Sequence, residues 1–115
     1  MLIAYTNAID LIRALRAVVE QLRLQSADLA DQLERAGTSV AHNVAEGSRR
    51  LGKDQRRFYA MAHGSAAEIR AAIDVADAWG WKIDSAAVRP ILDWQLGLLW
   101  GLTGSRSRRV GEPPQ

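Results

Sequence analysis

The spacing of apolar residues along this chain predicts four amphipathic helices. Apolar residues repeat at steps of three and four, the period that puts side chains on one helical face. The predicted helices cover residues 1–24, 26–46, 53–79 and 84–102. Short connections between amphipathic helices favour antiparallel neighbours, so we expect an all-α, up-down-up-down antiparallel four-helix bundle over residues 1–103.

Cap and breaker residues predict where these helices end. Ser26 is a suitable N-cap for the second helix, because its hydroxyl can accept a hydrogen bond from a free backbone N–H group. Gly47 and Gly80 are predicted to end the second and third helices in the left-handed conformation that glycine readily adopts. Pro90 fits only the first turn of the fourth helix, so either that helix begins after Ser85 or it is distorted there.

The second and third helices carry polar residues beside their apolar faces. The third helix is predicted to face inward through Phe58, Ala62, Ser65, Ile69, Ala72 and Ala76. A buried polar group without a partner costs about 1–3 kcal/mol, so we expect Ser65 to bond Asn43 or Ser39 across the helix pair. Gly64 costs about 1 kcal/mol in a helix relative to alanine, which predicts that another backbone approaches it closely. The expected structural polar network consists of Ser39, Asn43, Glu46, Ser65 and Glu68.

The same polar residues could instead form a catalytic site or bind a metal. A nucleophilic serine needs a base, and the two candidates, His42 and His63, each lie one position off the polar face of their helix. His42 and Glu46 have the i, i+4 spacing of metal ligands, with Glu68 as a third, but the chain lacks the paired Glu-x-x-His motifs of di-iron bundles. We therefore expect no catalytic residues, no metal and no cofactor.

Length and composition restrict the class of protein. A chain of 115 residues, 48% of them hydrophobic, forms one domain with one core. The absence of cysteine excludes disulfides and thiolate metal sites and fits a reducing cytoplasm. Asp10 and Arg13 interrupt the apolar run that a signal peptide needs, and the apolar stretch over 91–102 is shorter than the ~20 residues that span a bilayer. We expect a cytoplasmic protein.

Positive charge is concentrated in one segment, although the whole chain carries a net charge of only +2. The segment contains one acid, Asp54, and five basic residues: Arg49, Arg50, Lys53, Arg56 and Arg57. Such a cluster can bind phosphates with release of counterions, so these five residues are the candidate site for RNA or DNA; the alternative is a solvated helix end. Residues 104–115 lack periodicity and add three arginines, Arg106, Arg108 and Arg109, which predicts a disordered basic tail.

Four tryptophans lie in the second half of the chain. Trp94 and Trp100 cannot both lie on the apolar face that Leu92 and Leu99 define, so an outward-facing aromatic side chain is expected. Large exposed aromatic residues usually mark an interface. The rival function is therefore a protein-interaction module whose partner docks on Trp94, Trp100 or the acidic surface.

The central part of the chain contains the run Asn-Val-Ala-Glu-Gly over 43–47 and the motif Ala-x-Gly-Ser-x-x-Glu over 62–68. Nine residues around these motifs belong to the same pattern: Leu29, Gln32, Leu33, Arg35, Ala36, Ser39, Val40, Arg50 and Phe58. In these residues the chain resembles the 23S rRNA intervening-sequence proteins. The resemblance implies a four-helix bundle that assembles as a homopentameric ring. It also implies a relation to the accessory variability proteins of diversity-generating retroelements, which bind nucleic acid and a reverse transcriptase.

From this resemblance and the basic segment we expect a non-catalytic oligomer that binds RNA or DNA electrostatically, with little sequence specificity. A protein partner such as a reverse transcriptase is a further expectation, and it comes from the resemblance alone.

Overall fold

The computed structural model describes residues 2–104, which form four α-helices. The helices are α1, Ile3–Arg23; α2, Ala27–Ser48; α3, Gly52–Trp79; and α4, Val88–Leu102. No strand occurs within residues 2–104, so the predicted all-α class is confirmed. Of the predicted basic tail, only Gly104 belongs to the described part of the chain, and its three arginines lie outside it.

The apolar faces of the four helices meet in one core. The largest fully buried apolar side chains come from every helix: Leu11, Val18, Leu22, Leu33, Val40, Val44, Ile69, Ile73, Val88, Leu92 and Leu99. Burying an aliphatic side chain of this size contributes about 1.5–3 kcal/mol, so this core is the main source of stability. Four of the eight buried residues of α3 are alanines, which lets α2 and α3 approach each other closely.

Each helix packs on the next one along the chain, and α4 packs back on α1. The most extensive contact is between α2 and α3, the pair that carries the basic segment. Residue order is reversed along this contact, because Ser39 of α2 bonds Ser65 of α3, whereas the later Gly47 packs on the earlier Tyr59. The connection that follows Gly47 therefore holds the end of α2 and the start of α3 side by side.

A buried polar network joins α1 to α4. Gln95 of α4 is fully buried; its Nε2 donates to the carbonyl oxygen of Ala4 (3.1 Å), and its Oε1 accepts from Nδ2 of Asn7 (2.7 Å). Asn7 Nδ2 also donates to the carbonyl oxygen of Ile91 at 3.1 Å. Burying an amide among leucines is tolerated because each of its polar atoms has a partner on α1.

Most helix ends agree with the predicted caps. Ser26 Oγ accepts from the backbone N–H of Leu29 at 3.2 Å, which confirms the N-cap of α2. Gly80 ends α3 with a left-handed φ of 75°, as predicted. The predicted start of the fourth helix, with Asp84 or Ser85 as its cap, is wrong, because α4 begins at Val88 with Ala87 at its N-cap. Of the two alternatives for Pro90, the later start is the one found, and Pro90 lies in the first turn, where no intrahelical N–H bond is lost.

Gly47 and Gly64 differ from their predicted roles. The prediction that Gly47 ends α2 is wrong, because the helix continues to Ser48. A Cβ atom at Gly47 would lie 2.7 Å from Cε1 of Tyr59, so glycine is needed there for α3 to pack closely. A Cβ atom at Gly64 would meet no atom within 4 Å, so the close approach predicted there is absent from the part of the chain that the structure describes.

The aromatic residue that faces the core near the start of α3 is Tyr59 and not Phe58. The prediction that Phe58 faces the core is wrong, because Tyr59 is buried (4% exposed) and Phe58 is partly exposed. The expected outward aromatic side chains are confirmed, since Trp94 is 57% and Trp100 36% exposed. At the other end of α3, Trp79 is exposed as well. Large aromatic surface therefore faces solvent on both α3 and α4.

Candidate nucleic-acid interface

The basic segment lies at the junction of α2 and α3. Residues 49–51 connect the two helices. Gln55, in the first turns of α3, donates from Nε2 to the carbonyl oxygens of Gly47 (3.0 Å) and Arg50 (2.9 Å). These carbonyls belong to the end of α2 and to the connection, and that of Gly47 also accepts from the backbone N–H of Arg50 at 3.0 Å. The bonds from Gln55 therefore fix the connection that places the five basic side chains together.

A chain of alternating charges crosses this junction. Arg50 donates from Nε and Nη2 to Oε2 of Glu46 (2.9 and 2.7 Å) and from Nη1 to Oδ2 of Asp54 (2.7 Å). Arg57 donates to Oδ1 of the same Asp54 at 3.0 Å, and Arg49 lies 3.8 Å from Glu46. All five side chains are at least partly exposed, so the pairs contribute little to stability and act mainly by orienting the guanidinium groups.

The ion pairs keep both carboxylates charged. The hydrogen bond from Arg50 is the largest cause that lowers the pKa of Glu46 below its ordinary value. The pKa of Asp54 is lowered first by the hydrogen bond from Arg57 and then by that from Arg50. Part of the positive charge in the basic segment is therefore neutralised within the chain at neutral pH.

Phe58 supports two of these arginines. The Cζ atoms of Arg57 and Arg50 lie 4.6 and 4.9 Å from the centroid of the Phe58 ring. A guanidinium over an aromatic face at this distance is attracted by the ring quadrupole. This contact explains why Phe58 lies at the surface, although its position in the helical repeat suits the core.

Lys53 and Arg56 differ from the other three basic residues. Both are exposed, and neither forms an ion pair with any residue among 2–104. Their positive charges are therefore available to an external anion without the loss of an existing ion pair. The excess charge that the sequence predicts at this junction is carried mainly by these two side chains.

The five residues of the predicted polar network do not all come together. Ser39 Oγ lies 2.8 Å from Ser65 Oγ, and Asn43 Nδ2 donates to Ser39 Oγ (3.0 Å) and to the Ser39 carbonyl oxygen (2.9 Å). Glu46 instead bonds Arg50. Glu68 is exposed and makes no side-chain hydrogen bond within residues 2–104. The bonded group of Ser39, Asn43 and Ser65 spans α2 and α3, a position suited to fixing their register.

The two histidines lie apart from this group. His42 is exposed on α2, whereas His63 is partly buried, with its ring centroid 5.8 Å from that of Trp100 on α4. Burial is the main cause that lowers the pKa of His63, and the nearby charge of Arg70 adds to it. Within residues 2–104, no three His, Asp or Glu side chains are grouped so that they could hold a metal ion.

Comparison with known families decides the relationship of this chain. The sequence model of the family described as 23S rRNA-intervening sequence protein matches residues 1–87. This chain belongs to that family. The match covers α1 to α3 and ends just before α4, so it includes the whole α2–α3 junction of this intervening-sequence protein. None of the curated proteins compared with it matches.

The structure also bears on membrane association of this family member. Within residues 2–104, none of the helices is both long and apolar enough to span a bilayer.

Proposed function

We propose that this protein is a non-catalytic, cytoplasmic, self-assembling scaffold that binds RNA or DNA through the α2–α3 junction. The observation that carries the proposal is the presence of two unpaired cations, Lys53 and Arg56, beside three arginines whose orientation is fixed by ion pairs. Phosphate contacts of this kind carry no direct base information, so binding is electrostatic and has little sequence specificity.

Self-assembly is supported by surfaces that the single chain leaves uncovered. Gly64 lies on an exposed face of α3 with Ala71, and side chains this small permit close approach of a second backbone. A groove of about 880 Å³ between α1 and α2 has apolar residues such as Leu15 and Leu33 along its floor. The up-down-up-down order, which the reversed α2–α3 contact favours, and a homopentameric ring, which the family resemblance suggests, are parts of this proposal.

A ring would increase the effect of each junction. Several copies of a basic segment on one closed assembly raise the local positive potential, which speeds encounter with a polyanion. The proposal therefore predicts that the binding species is an oligomer and that its binding falls steeply as salt rises.

The test measures anisotropy of labelled generic RNA and duplex DNA across a salt series, with the mass of the protein measured in parallel. The variant Lys53→Gln/Arg56→Gln removes the two unpaired cations and is expected to lower the slope of log K against log [salt] by about 1–2 per bound chain. The control Lys82→Gln removes one positive charge at an exposed, unpaired position away from both the junction and the α1–α2 groove, and it should behave as the parent.

Two further results complete this test. Replacing Arg49, Arg50, Arg56 and Arg57 by alanine should abolish binding while the oligomer remains intact. Equal effects of the junction and control variants, or no binding by the parent even at low salt, would refute the assignment.

A second candidate function is a scaffold for a protein partner without nucleic-acid binding. The exposed rings of Trp94 and Trp79 favour it, because solvent-exposed tryptophan is enriched at interfaces. Trp100 and the acidic surface are further docking positions, and a reverse transcriptase is the partner class that we expect from the family resemblance. Failure to bind nucleic acid, together with loss of partner binding in Trp94→Ala, would favour this function.

A further inference from the structure

We propose, resting on the function proposed above, that the nucleic acid is bound as a single strand along α3, with Trp100 stacking on one of its bases. The interface would then extend from the α2–α3 junction along the outer side of α3 towards α4. Two features outside the junction lead to this inference: the unpaired Arg70 and the contact between His63 and Trp100.

The basic residues continue beyond the junction in a regular row. Arg56, His63 and Arg70 are spaced by seven residues, or nearly two helical turns, so they lie on one side of α3. Lys53 lies one turn before Arg56 on a neighbouring line of the same helix. At 1.5 Å per residue, the row from Lys53 to Arg70 is about 25 Å long.

The charges of this row are available to a ligand. Arg70, like Lys53 and Arg56, is exposed and has no ion pair with any residue of the described range 2–104. The row ends where the next residues carry acids, because Asp74 and Asp77 both accept hydrogen bonds from Arg89 of α4. The cationic side of α3 therefore ends at Arg70, and acidic residues follow it.

Small side chains separate the cations. Ala60 and Ala67 alternate with Arg56, His63 and Arg70 along this side of α3, so nothing large stands between the charged groups. An extended strand can lie against such a surface with its phosphates near the cations. Arg56 and Arg70 lie about 21 Å apart along the helix, with the His63 ring midway between them, so an extended strand can contact both charges and pass the ring.

An aromatic platform lies beside the middle of the row. The Trp100 ring of α4 is 5.8 Å from the His63 ring, centroid to centroid, and 36% of Trp100 is exposed. Burial and the neighbouring Arg70 favour the neutral form of His63, so at neutral pH this position adds an aromatic ring rather than a charge. Cations that follow the backbone, together with an aromatic face on which bases stack, are the combination that binds single strands.

A duplex cannot use this platform, because its bases already stack on one another. The expected preference for a single strand over a duplex therefore depends on Trp100. A protein that used only phosphate contacts would bind single and double strands according to their charge density.

The experiment uses the full-length protein and fluorescent oligouridylate of about 12 nucleotides, within the usual range for single-strand binding surfaces. Arg70→Gln is expected to lower the salt slope by about 0.7, the contribution of one phosphate contact on a single strand. Lys82→Gln, an equal charge change at an exposed and unpaired lysine outside the row and outside the α1–α2 groove, should leave the slope unchanged. Trp100→Leu is expected to weaken oligouridylate binding about tenfold and binding of a duplex of the same length less than twofold.

The outcomes separate this inference from the proposed function. If Lys53→Gln/Arg56→Gln weakens binding but Arg70→Gln behaves as Lys82→Gln, the junction binds nucleic acid and the extended single-strand path is wrong. Equal losses on single strand and duplex for Trp100→Leu would also overturn the stacking role, with circular dichroism of the variant confirming that it is folded. If the parent binds no nucleic acid, both proposals fail.

Discussion

Replacing glycine by alanine is expected to change the stability of the fold in opposite directions at Gly47 and at Gly64. Gly47 is buried, and a Cβ atom there would lie 2.7 and 2.9 Å from Cε1 and Cδ1 of Tyr59 and 3.2 Å from Cβ of Phe58. Gly64 is exposed, and a Cβ atom there would contact nothing within 4 Å. Glycine to alanine in a helix is expected to stabilise the fold by up to about 1 kcal/mol wherever the methyl group fits.

The loss of stability expected for Gly47→Ala depends on the Tyr59 ring that the new methyl group would contact. Tyr59 is 4% exposed and packed in the core, so it cannot swing aside, and the overlap belongs in the upper part of the overpacking range, about 2–3 kcal/mol. Subtracting the gain in helix propensity leaves a net loss of about 1–2 kcal/mol. Gly64→Ala should gain up to about 1 kcal/mol, so the two variants are expected to differ by about 2–3 kcal/mol, or roughly 10 °C in melting temperature.

The assay is urea and thermal unfolding of both variants by circular dichroism, at two protein concentrations so that any effect of Gly64→Ala on assembly is seen separately. Gly97→Ala on α4 is a second control, because a Cβ atom there also meets nothing within 4 Å. If Gly47→Ala were as stable as the parent, the close packing of α3 on α2 at Tyr59 would be wrong.

Three further predictions concern polar groups. Asn43→Leu should damage folding or assembly, with a loss of about 1–3 kcal/mol measured by urea unfolding; unchanged melting and mass would contradict the register role of this buried amide. Gln95→Leu should cost a similar ~1–3 kcal/mol, because Asn7 and the Ala4 carbonyl lose the partner that Gln95 provides. A double-mutant cycle with Asn7→Leu should show coupling between the two residues, whereas strictly additive losses would argue against the hydrogen bond between Asn7 and Gln95. Because arginines lower the pKa of Glu46 and Asp54 in the folded protein, their stabilising effect is present above the ordinary values of 4.5 and 3.8 and is lost as pH falls below them. Because these pairs are exposed, Glu46→Gln/Asp54→Asn should flatten the dependence of melting temperature on pH between about 5 and 2 only slightly, and a large flattening would contradict the small contribution assigned to them.

Helical periodicity was sufficient to predict the four helices, but it could not choose between neighbouring aromatic residues. Phe58 and Tyr59 each continue an apolar repeat through Ala62, Ile69 and Ala76. The choice depends on tertiary contacts, because Gly47 leaves room for the Tyr59 ring and two arginines cover Phe58. A repeat of 3.6 residues defines a face only to within about one position, and packing decides the rest.

The candidate interface shows a similar limit. Counting charges located the basic segment, but not which of its members are paired. Arg50 belongs to the connection, so its bond to Asp54 depends on how the chain turns between α2 and α3 and not on helical spacing. Glu46 bonds Arg50, four residues further along the chain, and does not join Ser39, Asn43 and Ser65. The unpaired state of Lys53 and Arg56 could be recognised only after the acids had been placed.

The hydrogen bonds that close the bundle also bear on the order in which it folds. Ser39 and Ser65 are 26 residues apart along the chain, whereas Asn7 and Gln95 are 88 apart. Closing the longer loop costs about 1 kcal/mol more in chain entropy, so the α2–α3 hairpin is expected to form in the transition state and the α1–α4 contact after it. Changes at Asn43 should then slow folding, while changes at Gln95 should mainly speed unfolding. The α1–α4 contact would thus set how long the folded state lasts before it unfolds. The α2–α3 hairpin, which carries the basic segment, would set how quickly the chain folds.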